Sequence, residues 1–319
     1  MPDAVFAIPG DINLRTGGYI YDRRVLALLP YAGIAADHLP LAGGYPEPSR
    51  DELEATARVF SKLRPDAVLL VDGLAYGTMP PDIISRAPCP IVALVHHPLC
   101  LETGLVAERQ AELKASETAA LALARHIIVT SATTVRTLMT AFGVGPERIT
   151  VAEPGTDKPR ARPFRIYARL ASGSMPADAV PPSEMLGSLQ LLAAGSIVPR
   201  KGYDILVRAL ARLRHLDWQL TIAGDRDRSP ETAAALEDQI RFSGVRDRVR
   251  LVGAVDERTL ANLYAQADLF VTASLYEGYG MVLSEALARG LPIVTTTGGA
   301  AAETVPDRAA LKVPPGDVR

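Results

Sequence analysis

The sequence predicts an α/β fold in which two successive domains each contain a parallel β-sheet. Short runs rich in Val, Ile and Leu alternate with longer amphipathic stretches, which is typical of parallel strands joined by crossover helices. Strand candidates such as 66–71 lack polar alternation, as strands buried on both faces of a sheet do. The length of 319 residues suits two domains that each bury a core.

The strand and helix candidates follow one another along the chain in the same rhythm in both halves. In the first half, strands are expected at 4–8, 66–71, 90–95, 126–130 and 148–152, and helices near 19–31, 50–63, 103–124 and 132–142. In the second half, strands are expected near 189–194, 218–223, 248–252, 268–273 and 292–295, and helices at 203–214, 231–242, 257–266 and 281–289. We therefore expect an N-terminal domain 1–157 and a C-terminal domain 189–319.

The segment between these domains, 158–188, has the composition of a proline-rich linker. Its first part contains basic residues and no acidic ones, namely Lys158, Arg160, Arg162, Arg165 and Arg169. One interpretation is peripheral contact with an anionic membrane surface or an acceptor. The other is an ordinary solvated linker, and both remain open.

Composition and charge exclude several classes of protein. The 34 Lys and Arg and 36 Asp and Glu give a net charge of −2, which argues against a dedicated nucleic-acid binder. The hydrophobic content of 48% argues against disorder. The two cysteines, Cys89 and Cys100, imply no disulfide framework, so a reducing, cytoplasmic location is expected. The sequence shows neither a signal peptide nor an apolar run of the roughly 18 residues that cross a membrane.

The most informative segment follows the strand candidate 268–273 and runs into a helix. Gly278 and Gly280 indicate a turn whose bare amides and helix dipole favour a phosphate or diphosphate. Glu277 and Glu285 flank that turn, and carboxylates accept hydroxyl hydrogen bonds from a polyol, such as a ribose at one end and a sugar at the other. The alternative is an ordinary turn with surface glutamates.

Two other loops that follow strands carry candidate ligand-binding residues. After Gly195, the adjacent Arg200 and Lys201 can neutralise a diphosphate at the edge of a sheet. In the N-terminal domain, Gly17 and Gly18 allow close backbone approach to a ligand.

Two further polar groups are candidates for ligand or metal binding. His96 follows the strand candidate 90–95, where it can hydrogen-bond to substrate, although a structural histidine is the alternative. Asp225 and Asp227 have a spacing that can hold a divalent cation, but Arg226 and Arg228 oppose one. We therefore expect no metal site.

With these motifs in place, the chain resembles the retaining glycosyltransferases of family 4, which have two facing Rossmann-like domains and a central cleft, the GT-B architecture. The resemblance is carried most specifically by the E-x7-E motif from Glu277 to Glu285 in the setting S-x-x-E-G-Y-G. Supporting matches are Gly17-Gly18, His96, Ser131, Pro154-Gly155-Thr156-Asp157, Lys201-Gly202, Ala223-Gly224, Gly253, Ala267-Asp268, Gly298-Gly299, Glu303 and Pro315-Gly316-Asp317.

The resemblance implies a metal-independent transfer of a sugar from a UDP- or GDP-sugar with retention of anomeric configuration. The donor would bind mainly to the C-terminal domain and the acceptor, a glycan, a lipid-linked or a small molecule, would enter from the first. Glu285 would hold the ribose, Glu277 the donor sugar, and His96 would lie near the reacting carbon. The diphosphate would contact Lys201 and the amides of Gly280, Met281 and Val282. No cofactor is required.

Two departures from the family pattern affect this expectation. The family places an Arg where this chain has Ser196, and Arg200 is the candidate replacement. Family members also continue beyond the Pro-Gly-Asp at 315–317 into a helix that returns to the first domain, so weaker coupling of the domains is expected here. The alternatives are an epimerase of the same architecture and a non-catalytic nucleotide-sugar-binding module. The sugar, the base, the acceptor and the oligomeric state stay open.

Overall fold

The chain divides into two compact units in a computed structural model that describes residues 3–157, 159 and 188–318. Unit 1 is Met1–Pro154 and unit 2 is Gly155–Arg319. The linker expected at 158–188, with its basic residues, lies almost wholly outside the described residues. Each unit contains a parallel sheet with helices, which confirms the predicted α/β class.

Unit 1 is built on a six-stranded parallel sheet. Its strands are β1 Ala4–Pro9, β2 Ala36–Leu41, β3 Val68–Asp72, β4 Ile91–Val95, β5 His126–Val129 and β6 Ile149–Val151. Its helices are α1 Gly17–Leu28, α2 Arg50–Phe60, α3 Gly73–Tyr76, α4 Pro81–Ile84, α5 Ala107–Leu123 and α6 Ala132–Phe142, with 3-10 helices at Leu29–Ala32, Leu99–Leu101 and Pro146–Arg148.

Unit 2 is built on a second six-stranded parallel sheet. Its strands are β7 Leu189–Ala194, β8 Trp218–Ala223, β9 Val249–Gly253, β10 Leu269–Val271, β11 Ile293–Thr296 and β12 Ala310–Val313. Its helices are α7 Tyr203–Ala211, α8 Pro230–Phe242, α9 Glu257–Gln266, α10 Met281–Ala288 and α11 Ala301–Thr304, with 3-10 helices at Pro199–Lys201, Arg246–Arg248 and Asp307–Ala309.

The strand order of each sheet reverses once. The order is β2-β1-β3-β4-β5-β6 in unit 1 and β12-β11-β10-β7-β8-β9 in unit 2. Successive crossovers therefore leave in opposite directions from β1 and β3, and from β7 and β10. Doubly wound sheets bind ligands outside the carboxyl ends of the strands at such a reversal. The loops that follow these four strands are the first places to look for a site.

Two strands, β2 and β12, were not expected from the sequence. The segment of β2, Ala36–Leu41, has three exposed residues out of six and contains Pro40, so it lacks the apolar run of the central strands. The segment of β12 contains Lys312 and an exposed Leu311. Both lie at an edge of their sheet, where only one side needs a partner strand.

The central strands are the most apolar because helices cover both faces of the sheet. In unit 2, one cluster packs Leu206, Trp218 and Ile240 on one face. Tyr264 and Phe270 stack in a second cluster, with ring centroids 5.7 Å apart. These two cores hold β7 and β10 rigidly, so the loops at their carboxyl ends start from fixed points.

Gly202, at the start of α7, is required by a close approach of two loops. Its φ of +58° is left-handed, and a Cβ at this position would overlap the carbonyl oxygen of Ala273. The loop after β7 thus lies directly against the residues that follow β10.

We expect Gly202→Ala to lower the free energy of unfolding by about 1–3 kcal/mol more than Gly253→Ala. Gly253 has a similar φ of +70°, but nothing lies within 4 Å of a Cβ built there. Both substitutions carry the backbone cost of a left-handed alanine, and only Gly202→Ala adds the overlap. Urea unfolding of the two variants measures the difference, and equal losses would contradict the close approach.

Candidate functional site

The reversal between β7 and β10 brings two loops together at the carboxyl edge of the unit 2 sheet. The amide of Leu275 donates to the carbonyl of Arg200 over 2.8 Å, and Nη1 of Arg200 donates to the carbonyl of Tyr276, also over 2.8 Å. The loop containing Arg200 and Lys201 is therefore fixed against the loop containing Glu277.

A buried carboxylate between two cations is the centre of this arrangement. Nζ of Lys201 lies 2.6 Å from Oε1 of Glu277, and Nη1 of Arg200 lies 3.4 Å from Oε2. The exposed fraction is 7% for the Glu277 side chain, 12% for Lys201 and 16% for Arg200. We refer to Arg200, Lys201 and Glu277 as the unit 2 charge cluster.

The position of Glu277 is set by its neighbours on both sides. Oγ of Ser274 donates to Oε1 over 2.6 Å. The Glu277 amide donates to the carbonyl of Gly298, and the Glu277 carbonyl accepts from the amide of Ala300 over 2.8 Å. A side chain at Gly298 or Gly299 would overlap backbone atoms of residues 275–277. These glycines therefore allow the loop after β11 to lie beside Glu277.

The charges of this cluster stabilise one another. Burial opposes ionisation of Glu277, but the charges of Lys201 and Arg200 outweigh it and lower the pKa of the carboxyl to about 2. Glu277 is therefore ionised at neutral pH. The cluster thus consists of one carboxylate and two cationic side chains.

Glu285, on α10, lies in a different environment. Oε2 of Glu285 accepts a 2.9 Å hydrogen bond from the hydroxyl of Tyr264, and the guanidinium of Arg289 lies 4.4 Å above the Tyr264 ring. Burial raises the pKa of Glu285, against the lowering effect of the Tyr264 hydrogen bond. Oε1 has no hydrogen-bond partner among the residues that the structure describes, which leaves it available to a ligand hydroxyl.

The turn between Glu277 and Glu285 starts α10 at Gly280. Gly280 has a φ of +94° and forms the N-cap, and the amide of Leu283 donates to its carbonyl over 2.8 Å. The amides of Gly280, Met281 and Val282 precede that first hydrogen bond, as the leading amides of a helix do. Together with the helix dipole they form a site suited to an anion.

A second cluster lies at the carboxyl edge of the unit 1 sheet. Nε2 of His96, directly after β4, lies 3.1 Å from Oδ1 of Asp22 on α1 and 3.3 Å from Oδ2 of Asp72 at the end of β3. The side chain of His96 is 22% exposed, and those of Asp22 and Asp72 are 0% and 4% exposed. We refer to these three residues as the unit 1 charge cluster.

The glycine pair in the first turn of α1 lies against this cluster. A Cβ on Gly18 would be 3.4 Å from Cδ2 and Nε2 of His96, so the first turn of α1, which Gly17 begins, lies beside the ring. Thr16 caps the helix by accepting from the amide of Tyr19. Tyr21 contacts the imidazole edge to face, with centroids 5.4 Å apart.

Three ligand-bearing atoms of the unit 1 charge cluster lie within 4.8 Å of one another, so the described part of the chain contains one group with the composition of a metal site. The D-x-D sequence is different. Asp225 accepts the amide of Asp227 over 2.9 Å, and Arg226 pairs with Glu237. Those contacts form a local turn at the surface.

The structure thus brings the sequence-based candidates into two groups. Arg200, Lys201, Glu277 and the turn 278–282 lie together in unit 2, and Gly18 and His96 lie together in unit 1. Asp22, Asp72 and Tyr264 were missed. Asp72 is the last residue of an apolar strand and precedes a glycine, which is a usable signal, whereas Asp22 and Tyr264 lie inside helices and carry none.

Two family models together match most of the chain. Residues 25–160 match the model described as Glycosyltransferase Family 4, and residues 188–319 match that described as Glycosyl transferases group 1. Within the described residues, no helix combines the length and apolarity needed to cross a bilayer.

The curated relatives that match the chain are named as sugar transferases. The chain is 29% identical over 86% of its length to the MMP alpha-(1->4)-mannosyltransferase of Mycolicibacterium hassiacum, covering 64% of that protein. It is 33% identical over 53% of its length to D-inositol 3-phosphate glycosyltransferase 2 of Catenulispora acidiphila, covering 39% of that one. The chain therefore spans less than two thirds of these relatives.

Solved structures share the fold over nearly the whole chain. The sucrose-phosphate synthase of Thermosynechococcus elongatus aligns with 99% of this chain and 86% of its own, with a TM-score of 0.76 and 22% identity. Anabaena HepE in complex with UDP and glucose aligns with 100% and 87%, with a TM-score of 0.70 and 17% identity. These similarities show the fold, which is the GT-B fold.

We expect Glu277→Gln to lower the free energy of unfolding by about 3–5 kcal/mol at neutral pH, because it removes the buried carboxylate that lies between the largely buried side chains of Lys201 and Arg200. The pKa of Glu277 is lowered to about 2 in the folded chain. Its stabilisation is therefore complete above the ordinary carboxyl pKa and is lost as pH falls towards 2. The free energies of unfolding of wild type and variant should therefore become more similar as pH falls, and urea unfolding of both at several pH values measures this.

The matched control is Glu237→Gln, which removes a carboxylate from an ion pair whose side chains are 42% and 46% exposed. This loss should be about 0–1 kcal/mol. A Glu277→Gln loss as small as that of the control would show that the cluster is not a coupled buried pair.

Proposed function

Because the chain combines two glycosyltransferase domains in the GT-B fold, we propose that it transfers a sugar from a UDP- or GDP-sugar to an acceptor hydroxyl. We further propose that the reaction retains the anomeric configuration and needs no metal ion. The observation that carries the proposal is the unit 2 charge cluster beside the N-terminus of α10, which offers cations and helix amides to a diphosphate and a carboxylate to a sugar.

The diphosphate is held by positive charge and backbone amides. Lys201 and the amides of Gly280, Met281 and Val282 are the donors in this proposal. Arg200 takes the place of the Arg that the related family has at Ser196, since it reaches the same carboxylate as Lys201. Lys201 pairs with Glu277 before the donor binds, so it approaches the diphosphate with its orientation already restricted.

The two glutamates bind the two ends of the donor, the ribose and the transferred sugar. Glu285 accepts the ribose hydroxyls, and its orientation is kept by the Tyr264 hydroxyl. Glu277 accepts hydroxyls of the transferred sugar, and its low pKa keeps it an acceptor throughout the physiological range. Gly195, directly after β7, belongs to the backbone that faces the donor in this proposal, and its lack of a Cβ leaves room for Lys201.

The residues of unit 1 have two roles in this proposal. His96 contacts the donor sugar near the reacting carbon, and Gly17 and Gly18 form the adjacent backbone. The acceptor, a glycan, a lipid-linked or a small molecule, reaches this unit. Charge develops on the departing diphosphate in the transition state, so the donors around it accelerate the reaction, and the diphosphate itself accepts the proton of the acceptor. Buried cysteines Cys89 and Cys100 fit a cytoplasmic enzyme.

The first experiment is a thermal-shift screen of UDP- and GDP-sugars on the full chain. A donor at 100 times its Kd should stabilise the chain by about 2.7 kcal/mol. The donor found is then incubated with candidate acceptors and a chelator, and free nucleoside diphosphate and the anomeric configuration of the product are measured. Acceptor-dependent release with retention supports the proposal.

The other outcomes separate the alternatives. Interconversion of sugars without nucleotide release would identify an epimerase. Donor binding without turnover across the acceptor set would identify a binding module. Loss of activity with chelator, restored by a divalent cation, would contradict the metal-independent reaction.

We expect Glu285→Ala to weaken the binding of donor and of free nucleoside diphosphate alike, by about 1.5–3 kcal/mol, because both contain the ribose. Glu277→Ala should change the affinity for free nucleotide less than Glu285→Ala does, and it should lower turnover. Isothermal titration calorimetry and initial rates measure these effects. Glu257→Ala removes an exposed acid whose charge raises the pKa of Glu285, and serves as the charge-matched control. Unchanged nucleotide affinity in Glu285→Ala would contradict its assignment.

A further inference from the structure

The unit 1 charge cluster places both of its carboxylates on one nitrogen of His96. Nε2 contacts Asp22 and Asp72, and the described residues provide no hydrogen-bond partner for Nδ1. The backbone carbonyl of His96 accepts from the Thr130 hydroxyl over 3.1 Å, which fixes the residue at the strand end. Nε2 therefore carries a proton for the carboxylates, and Nδ1 is the nitrogen that a ligand meets.

The second carboxylate decides what Nδ1 can do. A histidine with one carboxylate on Nε2 is normally neutral. Its Nδ1 then carries a lone pair that accepts a proton. Here a second buried carboxylate contacts the same nitrogen. Oδ2 of Asp22 is buried without any hydrogen-bond partner in the described chain, so this carboxyl group depends on the 3.1 Å contact of its Oδ1 with the imidazole. The geometry thus favours a ring with protons on both nitrogens.

Electrostatics agree with the geometry. Burial opposes a charged ring, but the hydrogen bonds and charges of Asp22 and Asp72 outweigh it and raise the pKa of His96 to about 10. Burial, against the lowering effect of His96, raises the pKa of Asp22 to about 7. Tyr21 faces the ring edge, and burial raises the pKa of its hydroxyl to about 12, so it stays neutral. Asp22 and Tyr21 come from α1 and Asp72 from β3.

We propose that Asp22 and Asp72 are positioning residues that keep His96 as an imidazolium, whose Nδ1–H donates to a substrate oxygen and which does not serve as a general base. The oxygen belongs to a hydroxyl and not to a phosphate, because two buried carboxyl groups already lie against the ring and would repel an anion at Nδ1. That this hydroxyl is on a sugar rests on the proposed function. The charge state and the roles of Asp22 and Asp72 rest on the unit 1 geometry alone.

The test is a pH series of ¹⁵N NMR spectra on the full chain with labelled histidines and no substrate. His96 is assigned among the five histidines from the spectrum of His96→Gln. Both ring nitrogens of wild-type His96 should keep imidazolium shifts from about pH 6 to about pH 8.5, well above the ordinary histidine pKa near 6.5. In the double variant Asp22→Asn, Asp72→Asn the ring should become neutral within that range. The Asp72→Asn substitution keeps a side-chain oxygen for the amide of Leu74, which Asp72 caps at 2.7 Å.

Matched controls are present in the same unit. Glu102→Gln removes the carboxylate 3.2 Å from Nε2 of the adjacent His97, and it should leave the His96 signals unchanged. His126, whose Nε2 lies 2.8 Å from the Thr150 hydroxyl, is the internal reference for an intact fold in every variant. If the double variant does not fold, the spectra of the two single variants and of the wild type still show whether the His96 ring is charged.

Two results would overturn the inference. One is a neutral His96 ring in wild type at about pH 7.5, one unit above the ordinary histidine pKa. The other is a stoichiometric metal ion in the purified chain that is lost in the double variant, because coordination through Nε2 would replace its proton.

Turnover provides a separate readout. If the chain transfers sugar, the double variant should lose about 10-fold to 100-fold in kcat, because the charged imidazolium that donates the hydrogen bond becomes a neutral imidazole. The wild-type rate should not increase when His96 is deprotonated. Unchanged kcat with the expected NMR result would remove the substrate contact from the proposal. If no donor is turned over, the proposed function fails while the NMR result still decides the charge state.

Discussion

Parallel pairing makes all the strands of a unit end at the same edge of the sheet, and the polar residues of this protein are arranged by that constraint. Lys201 and Glu277 are 76 residues apart in sequence, and Asp22 and His96 are 74 residues apart. Lys201 meets Glu277 because β7 and β10 end side by side. Asp22 meets His96 because α1, which follows β1, lies at the edge of the sheet where β4 ends. The apolar cores fix the strands, and the loops inherit their positions from them.

The two charge clusters have opposite compositions. In unit 2 a buried carboxylate lies between two cations, and in unit 1 a histidine lies between two buried carboxylates. The first cluster contains two cationic side chains, which is a composition that suits an anion. The second surrounds one imidazole with carboxyl groups, which disfavours an anion and fits the hydroxyl of our proposal. The two clusters therefore differ in the charge of the ligand that they suit.

The sequence was sufficient to predict the fold class, most of the strands and the loops that carry the candidate site. Apolar runs identify central strands because both of their faces are buried, and glycines identify turns that need close approach. The edge strands β2 and β12 could not be found in this way, since Pro40 and Lys312 interrupt the apolar pattern. The bonds of Tyr264 to Glu285 and of Asp22 to His96 also escaped, because each depends on which face of a helix meets a distant loop.

Each charge cluster is assembled entirely from residues of its own unit. Arg200, Lys201, Ser274 and Glu277 all belong to unit 2, and Asp22, Asp72 and His96 all belong to unit 1. Each unit therefore contains one whole cluster. Gene fusion or recombination near Pro154 would transfer either charge cluster intact to a new chain. A crossover within a sheet would instead separate a buried charge from its counterion.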